Sequence, residues 1–243
     1  EVAPGVDSQV NIPGDRVFMS RQRGTIEFDG ATGARPGAGT DSGVGMDWLL
    51  VRHTGSSLSG VGGTGVALVD PANSADTLLG RHTLRIEDAG GGVYEISVDG
   101  GPATTFTGSE TDLAVTAANG GEVHLDMSSF TPPGSFPHDI TLDADFKLST
   151  DDGDTWTTVA AASASSNVQV EDSVTGRVTN VDTTAIALVG DERVTYNGTF
   201  DIFNTLSSLR DTLRNEAGLT TGEQTDILNK LVGGLDNCHD QIL

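Results

Sequence analysis

The chain is short of basic residues, of cysteine and of long apolar runs, and each shortage argues against a class of function. Lysine and arginine number 13 against 35 aspartates and glutamates, a formal net charge of −22, so most of the surface repels phosphate groups. Cys238 has no second cysteine to pair with, and the five histidines lack zinc-ligand spacing. No apolar stretch approaches the ~20 residues that span a bilayer. We therefore expect no nucleic acid, membrane, metal or cofactor to be bound.

Residues 21–175 carry the pattern of antiparallel strands and turns. Short alternating runs are separated by Gly, Asp, Asn and Pro, and the clearest run covers residues 140–148. Residues 93–98, followed by Asp99-Gly100-Gly101-Pro102 and a second run at 104–106, predict a β-hairpin. The sequence predicts an α+β fold that is mainly β, with an antiparallel β-sandwich or open barrel in this region.

Beyond Thr199 the apolar spacing changes to that of helices. Thr199 is a candidate N-cap for the first helix, and the second can begin at Thr220 or Thr221, since Thr220 with Glu223 and Thr221 with Gln224 both have capping-box spacing. The first helix carries one apolar stripe and the second a seven-residue repeat, which together predict a helical hairpin with a seam for a partner helix. The predicted assembly and packing residues are Phe200, Phe203, Leu206, Leu209, Leu213, Leu228, Leu231, Leu235 and Ile242.

One local motif is specific enough to interpret. Residues 149–156 match S-x-D-x-G-x-T-W, which resembles the Asp-box hairpin that recurs in sialidases and other β-propellers. A single copy without repeats indicates a structural hairpin, in which the aspartate accepts hydrogen bonds from turn amides. The hairpin residues are Ser149, Asp151, Gly153, Thr155 and Trp156, and the same loop offers Asp151, Asp152 and Asp154 as calcium ligands.

Two further patterns, a glycine-rich motif and a pair of aspartates, do not favour an enzyme. The glycines at 60, 62 and 65 satisfy G-x-G-x-x-G but precede a predicted strand rather than a helix. Asp143 and Asp145 occupy the polar face of the strand at 140–148, although a hydrolase that uses paired carboxylates remains an alternative. We interpret the protein as non-enzymatic, with no catalytic residues.

About seventy residues resemble a known family. Residues 181–184 and 190–203 resemble the segment that joins the outer and inner domains of flagellin-type proteins. Residues 205–214 and 227–236 look like the return helices of that family. Residues 10–18 are similar to the stretch that leaves the ascending helix in hook-filament junction proteins, also called hook-associated protein 3. Flagellin, the filament subunit, is the close alternative.

The resemblance implies a structural subunit of the bacterial flagellum, extracellular and secreted. It implies self-assembly into a ring through a helical coiled coil, with hook-associated protein 1 and flagellin as neighbours. We expect residues 1–20 and 176–243 to form a stem and residues 21–175 to form an inserted outer β domain, and we interpret the chain as part of a longer protein. An alternative of another class is an extracellular glycan-binding or adhesin module that uses Trp48 or Trp156.

Overall fold

The computed structural model describes residues 19–21, 23–215 and 219–242. It is mainly β, with 42% strand and 14% helix, which confirms the predicted mainly β fold with two C-terminal helices. The described chain forms two compact units. Unit 1 contains residues 19–27 without 22, Ser42–Asp47, and 193–242 without 216–218, whereas unit 2 contains Phe28–Asp41 and Trp48–Glu192.

The strands are β1 (Met19–Arg21), β2 (Ile26–Asp29), β3 (Arg35–Pro36), β4 (Gly45–Ser59), β5 (Ala67–Leu68), β6 (Gly80–Gly90), β7 (Val93–Val98), β8 (Ala103–Phe106), β9 (Leu113–Thr116), β10 (Glu122–Asp126), β11 (His138–Ser149), β12 (Thr157–Val159), β13 (Val168–Glu171), β14 (Val178–Asp182), β15 (Gly190–Tyr196) and β16 (Thr199–Asp201). The helices are a 3-10 turn (Ala161–Ser163), α1 (Ile202–Arg214) and α2 (Thr221–Ile242).

The main sheet is a curled antiparallel half-barrel with strand order β2-β15-β4-β11-β6-β7-β8, and β12 pairs with β11. β11 contains the predicted strand at 140–148, and its apolar side chains are buried at every second residue. The predicted hairpin is β7 and β8, which pair from Tyr94↔Phe106 to Ser97↔Ala103. Its turn begins at Asp99 with φ of 49° and Gly100 with φ of 71°, the left-handed conformation that a tight reversal needs.

A second, three-stranded sheet of order β5-β10-β9 closes the core of unit 2. It supplies Val115, Val123 and Leu125 to the same buried cluster as Ile96 and Ile140 of the main sheet. Apolar side chains from two sheets therefore share one core, as in a sandwich. A third sheet, β13-β14-β3, places residues 168–182 in unit 2, so residues 176–192 lie with the β unit rather than with the helices.

The helices of unit 1 begin and end at recognisable signals. Asp201 caps α1, because its Oδ1 accepts a hydrogen bond from the Phe203 amide at 3.0 Å. Thr199 is not the cap, since its hydroxyl donates to the Tyr196 carbonyl at 2.6 Å and accepts from the Gly45 amide at 3.0 Å. α1 ends at Arg214, followed by Asn215 with φ of 52°, a common C-terminal conformation.

The capping box of α2 is Thr220 with Glu223. The Glu223 carboxylate accepts from the Thr220 amide at 2.8 Å and from its hydroxyl at 2.7 Å. Gln224, the rival partner, donates instead to the Thr212 carbonyl on α1 at 2.7 Å. In the part of the chain that the structure describes, neither helix is long and apolar enough to cross a membrane.

Candidate functional site

α1 packs within unit 1 through a face other than its predicted apolar stripe. Thr205 and Thr212 are 7% exposed, whereas Phe203 is 71%, Leu206 48% and Leu213 61% exposed. These three side chains are therefore not packed in the core of the described chain. Leu209 is half-buried, and the side chain of Phe200 lies outside the described residues.

The buried face of α1 consists of small hydroxyl side chains. Thr205 satisfies its hydroxyl within the helix by donating to the Asp201 carbonyl at 2.9 Å. The backbone carbonyl of Thr212 accepts the hydrogen bond from the Gln224 side chain of α2. Because these side chains are short, α1 packs closely against α2 while its larger apolar side chains point elsewhere.

α2 buries a stripe that differs from the predicted seam. Ile227 is 2% exposed and Leu231 5%, whereas Leu228 and Leu235 are half-buried. Ile227 was not among the predicted residues, although its i,i+4 relation to Leu231 marks the buried face. Leu231 packs within this chain. The side chains of Cys238 and Ile242 lie outside the described residues.

A cavity of about 530 Å³ lies in unit 1 beside the two helices. One of its walls carries Thr195, which is 9% exposed and whose hydroxyl has no hydrogen-bond partner among the described residues. Burial of an unsatisfied hydroxyl costs free energy. The cavity is lined by Gly45, Met46, Thr195, Tyr196, Asn197, Gly198, Thr199, Thr205, Ser208, Lys230, Leu231, Gly233 and Asp236.

Gly233 stands in the middle of α2, and no steric reason for it lies among the described residues. A Cβ atom built at Gly233 would meet no described atom within 4 Å. Glycine in a helix interior costs about 1 kcal/mol relative to alanine. Close packing of the described residues therefore does not account for this glycine.

The Asp-box hairpin in unit 2 has the predicted structure. The Asp151 carboxylate accepts from the Thr155 amide at 2.9 Å, from the Thr155 hydroxyl at 2.6 Å and from the Ser149 hydroxyl at 2.7 Å. Gly153 has φ of 92° and lies against the Trp156 ring. Burial raises the pKa of Asp151, but the hydrogen bonds from Thr155, Ser149 and Ser173 outweigh it and hold that pKa far below its usual range.

The calcium candidate at Asp151, Asp152 and Asp154 is wrong. Both oxygens of Asp151 already accept hydrogen bonds from serine and threonine groups. Within residues 19–21, 23–215 and 219–242, no three His, Cys, Asp or Glu side chains come together in a way that could hold a metal ion. The carboxylate of Asp151 therefore stabilises the turn instead of binding a cation.

The remaining candidates from the sequence have structural partners. Asp143 forms a two-point salt bridge with Arg81 at 2.7 and 3.1 Å, and Asp145 accepts from the Ala161 amide at 2.8 Å. The G-x-G-x-x-G glycines have positive φ and precede β5, a strand rather than a helix. The ammonium of Lys147 lies 4.2 Å from the centre of the Trp156 ring, so this ring already has a cation–π partner.

Comparison with known proteins gives no relative for this chain. No family model matches it, and no curated protein or solved structure matches it significantly.

Proposed function

We propose that this protein is a structural subunit of the bacterial flagellum that joins hook to filament by self-assembly through the helices of unit 1. The observation that carries the proposal is the exposed apolar stripe of α1, defined by Phe203, Leu206 and Leu213. The sequence resemblance to flagellin-type proteins at residues 190–214, and to hook-filament junction proteins at residues 10–18, supports it independently. In this function the protein has no catalytic role, is secreted, and acts outside the cell.

The stripe has the energetics of an assembly surface. Burying a large apolar side chain contributes about 1.5–3 kcal/mol relative to leaving it exposed. A contiguous apolar surface on a soluble protein marks an interaction site more often than an isolated exposed leucine does. α1 carries three such side chains within eleven residues, and we infer that a helix of the assembled flagellum covers them.

The proposal assigns the assembly contacts to unit 1 alone. Unit 1 contacts like subunits in a ring, with hook-associated protein 1 on one side and flagellin on the other. Unit 2 is assigned no assembly contact in this proposal, because its Asp-box residues serve a turn and both Asp143 and Asp145 bond within the unit. The net charge of −22 on the whole chain keeps the exported protein soluble.

Electron microscopy and light scattering on the natural gene product test the proposal. Alone it should stay monomeric, and it should assemble only when mixed with hook-associated protein 1 and flagellin. Filaments formed by the protein alone would instead identify it as flagellin, and no assembly in any mixture would overturn the proposal.

A matched pair of variants links the assembly to α1. Leu206→Asp should abolish assembly while leaving the circular dichroism spectrum and melting temperature unchanged, since Leu206 is exposed. Val174→Asp places the same charge at a residue of unit 2 that is 77% exposed and should assemble like the natural protein. Normal assembly by Leu206→Asp would show that α1 is not the contact.

A further inference from the structure

We propose that His82 and His124 form a pH-sensitive latch in unit 2, which holds the buried segment 76–79 against the core when both rings are protonated and loosens it as the pH rises. The latch does not depend on the flagellar assignment. It is carried by the geometry of two histidine–aspartate pairs, one at each end of this segment.

Segment 76–79 connects β10 to the chain around Ala187. The Leu78 amide donates to the Glu122 carbonyl at the start of β10, at 3.1 Å. The Leu79 amide donates to the Ala187 carbonyl at 2.9 Å. Leu78 and Leu79 are 1% and 0% exposed, so displacement of this segment opens the core of unit 2.

His82 contacts one end of the segment, and both of its ring nitrogens face hydrogen-bond acceptors. Nδ1 lies 2.6 Å from a carboxylate oxygen of Asp99, and Nε2 lies 2.7 Å from the carbonyl oxygen of Leu79. A neutral imidazole has one N–H and one lone pair, so it satisfies only one of these acceptors, whereas the imidazolium donates to both. The arrangement therefore favours the protonated ring.

His124 contacts the other end of the segment through a buried carboxylate. Oδ1 of Asp76 lies 3.0 Å from both the amide nitrogen and Nδ1 of His124, and the Asp76 side chain is 1% exposed. Oδ2 of Asp76 has no hydrogen-bond partner among the described residues. Because a buried carboxylate without a counter-charge costs free energy, this pair is also more stable when the ring is protonated.

The elements packed against His82 contribute no charge that opposes its protonation. β11 places the apolar Leu142 opposite His82, and the 3-10 turn that contacts β6 consists of alanine and serine. The salt bridge between Arg81 and Asp143 lies on the other face of the sheet, since successive side chains of a strand point to opposite faces. Asp99 is therefore the charged group that the described chain presents to this ring.

The surroundings of His124 are acidic. Glu122 and Asp126 lie on the same face of β10, two residues to either side of His124. β9 places Ala114 opposite His124, and on the other side the Val69 amide donates to the His124 carbonyl. Nearby carboxylates favour the charged form of a histidine, so they act in the same direction as the buried carboxylate.

The latch should weaken over the pH range in which histidines lose their proton. A group that folding favours in its protonated form contributes its stability in full below about 6.5, the pKa of a histidine in an unfolded chain, and loses that contribution at higher pH. Asp151, whose pKa is held far below the usual range by hydrogen bonds that outweigh its burial, stays ionised throughout this range. Segment 76–79 should therefore open more often at pH 8 than at pH 5.5.

Nuclear magnetic resonance of the ring nitrogens tests the charge of the two histidines. In the ¹⁵N-labelled chain, His82 and His124 should show protons on both nitrogens up to a higher pH than His138 does. His138 is the matched control, because its Nε2 has an uncharged acceptor, the Gly60 carbonyl at 3.1 Å. Loss of the proton from all three rings over the same pH range would overturn the proposal.

A substitution of Asp99 separates the latch from the turn that contains it. Asp99→Asn keeps an acceptor for the Thr83 amide and suits the φ of 49° at this position, so the turn should still form. It also offers His82 an amide donor, which lets a neutral ring satisfy both of its neighbours. Asp139→Asn is the matched control, since the side chain of Asp139 is 53% exposed, as is that of Asp99.

Hydrogen exchange of the Leu78 and Leu79 amides, divided by the intrinsic exchange rate at each pH, measures the equilibrium constant for local opening. In the unsubstituted chain this constant should be about tenfold larger at pH 8 than at pH 5.5. Asp99→Asn should reduce the ratio, and Asp139→Asn should leave it unchanged. A ratio near one in the unsubstituted chain, or an equal ratio in Asp99→Asn, would overturn the latch. Because no flagellar protein is needed, this failure is distinguishable from failure of the proposed assembly function.

Discussion

Asp151 accepts two hydrogen bonds from Ser173, at 3.1 Å from its amide and 2.8 Å from its hydroxyl, across 22 residues of sequence. The Asp-box carboxylate therefore connects the turn after β11 to the turn after β13. The Asp-box, which the sequence predicts to bond only within its own turn, therefore also stabilises the contact between two turns.

Removal of this carboxylate should destabilise unit 2. Asp151→Ala leaves the donors of Ser149, Thr155 and Ser173 without their acceptor, and we expect a loss of about 1–3 kcal/mol in the free energy of unfolding. Urea unfolding followed by tryptophan fluorescence measures it. Asp154→Ala removes an exposed carboxylate of the same loop and should change the stability by less than about 0.5 kcal/mol. Equal losses in both variants would contradict the assigned role.

The Glu110 carboxylate should make the folding stability of the protein depend on pH. Burial raises its pKa, but hydrogen bonds from the Thr107 amide and hydroxyl and from the Ser109 amide outweigh it and lower the pKa from 4.5 to about 2. A depressed carboxyl pKa stabilises the fold above the unfolded pKa and loses that contribution as pH falls through the folded pKa. Glu110→Gln should therefore lower the melting temperature at pH 7, and the difference from the natural protein should shrink between pH 4.5 and 2. A difference that stays constant over this range would show that the carboxylate charge is not involved.

The start of α2 offers a matched pair of threonines. Thr220→Ala removes the cap whose hydroxyl interacts with Glu223 and should cost about 1 kcal/mol. Thr221→Ala removes the neighbouring threonine, which has the same spacing to Gln224 but does not cap the helix, and should have a much smaller effect. Thermal unfolding followed at 222 nm measures both, and the reverse order of effects would place the cap at Thr221.

Truncation of two leucines on neighbouring helices should change the stability of the chain by very different amounts. Leu231→Ala empties a buried position of unit 1 and should cost about 2–5 kcal/mol. Leu206→Ala truncates an exposed side chain and should change the stability of the chain by less than about 0.5 kcal/mol. Chemical unfolding monitored by circular dichroism compares them. Similar losses for both would mean that the α1 stripe packs inside the isolated chain.

Much of unit 2 could be predicted because its signals are local. Alternation at 140–148 indicates a strand whichever strands lie beside it, and the Asp-box residues bond mostly within eight positions of one another. The turn at Asp99 and Gly100 follows from the conformational freedom of glycine. None of these signals contains the strand order, since pairs such as β4 with β11 join residues about ninety positions apart.

The buried faces of the two helices could not be predicted from the sequence. Their apolar spacing indicates which residues share a stripe, but not which stripe this chain covers. For α1 the structure buries threonines and exposes the stripe, and for α2 it buries Ile227 and Leu231 rather than the full seven-residue seam.

The sequence by itself determined the mainly β composition, the two C-terminal helices, the Asp-box turn and the family resemblance, because each depends on residues close together in the chain. Only the tertiary structure decided that the three-stranded sheet β5-β10-β9 completes one core with the main sheet, that Asp151 reaches Ser173, and that Leu206 and Gly233 face outward. Burial is a property of neighbours brought together from distant positions, and the period of a helix or strand does not specify those neighbours.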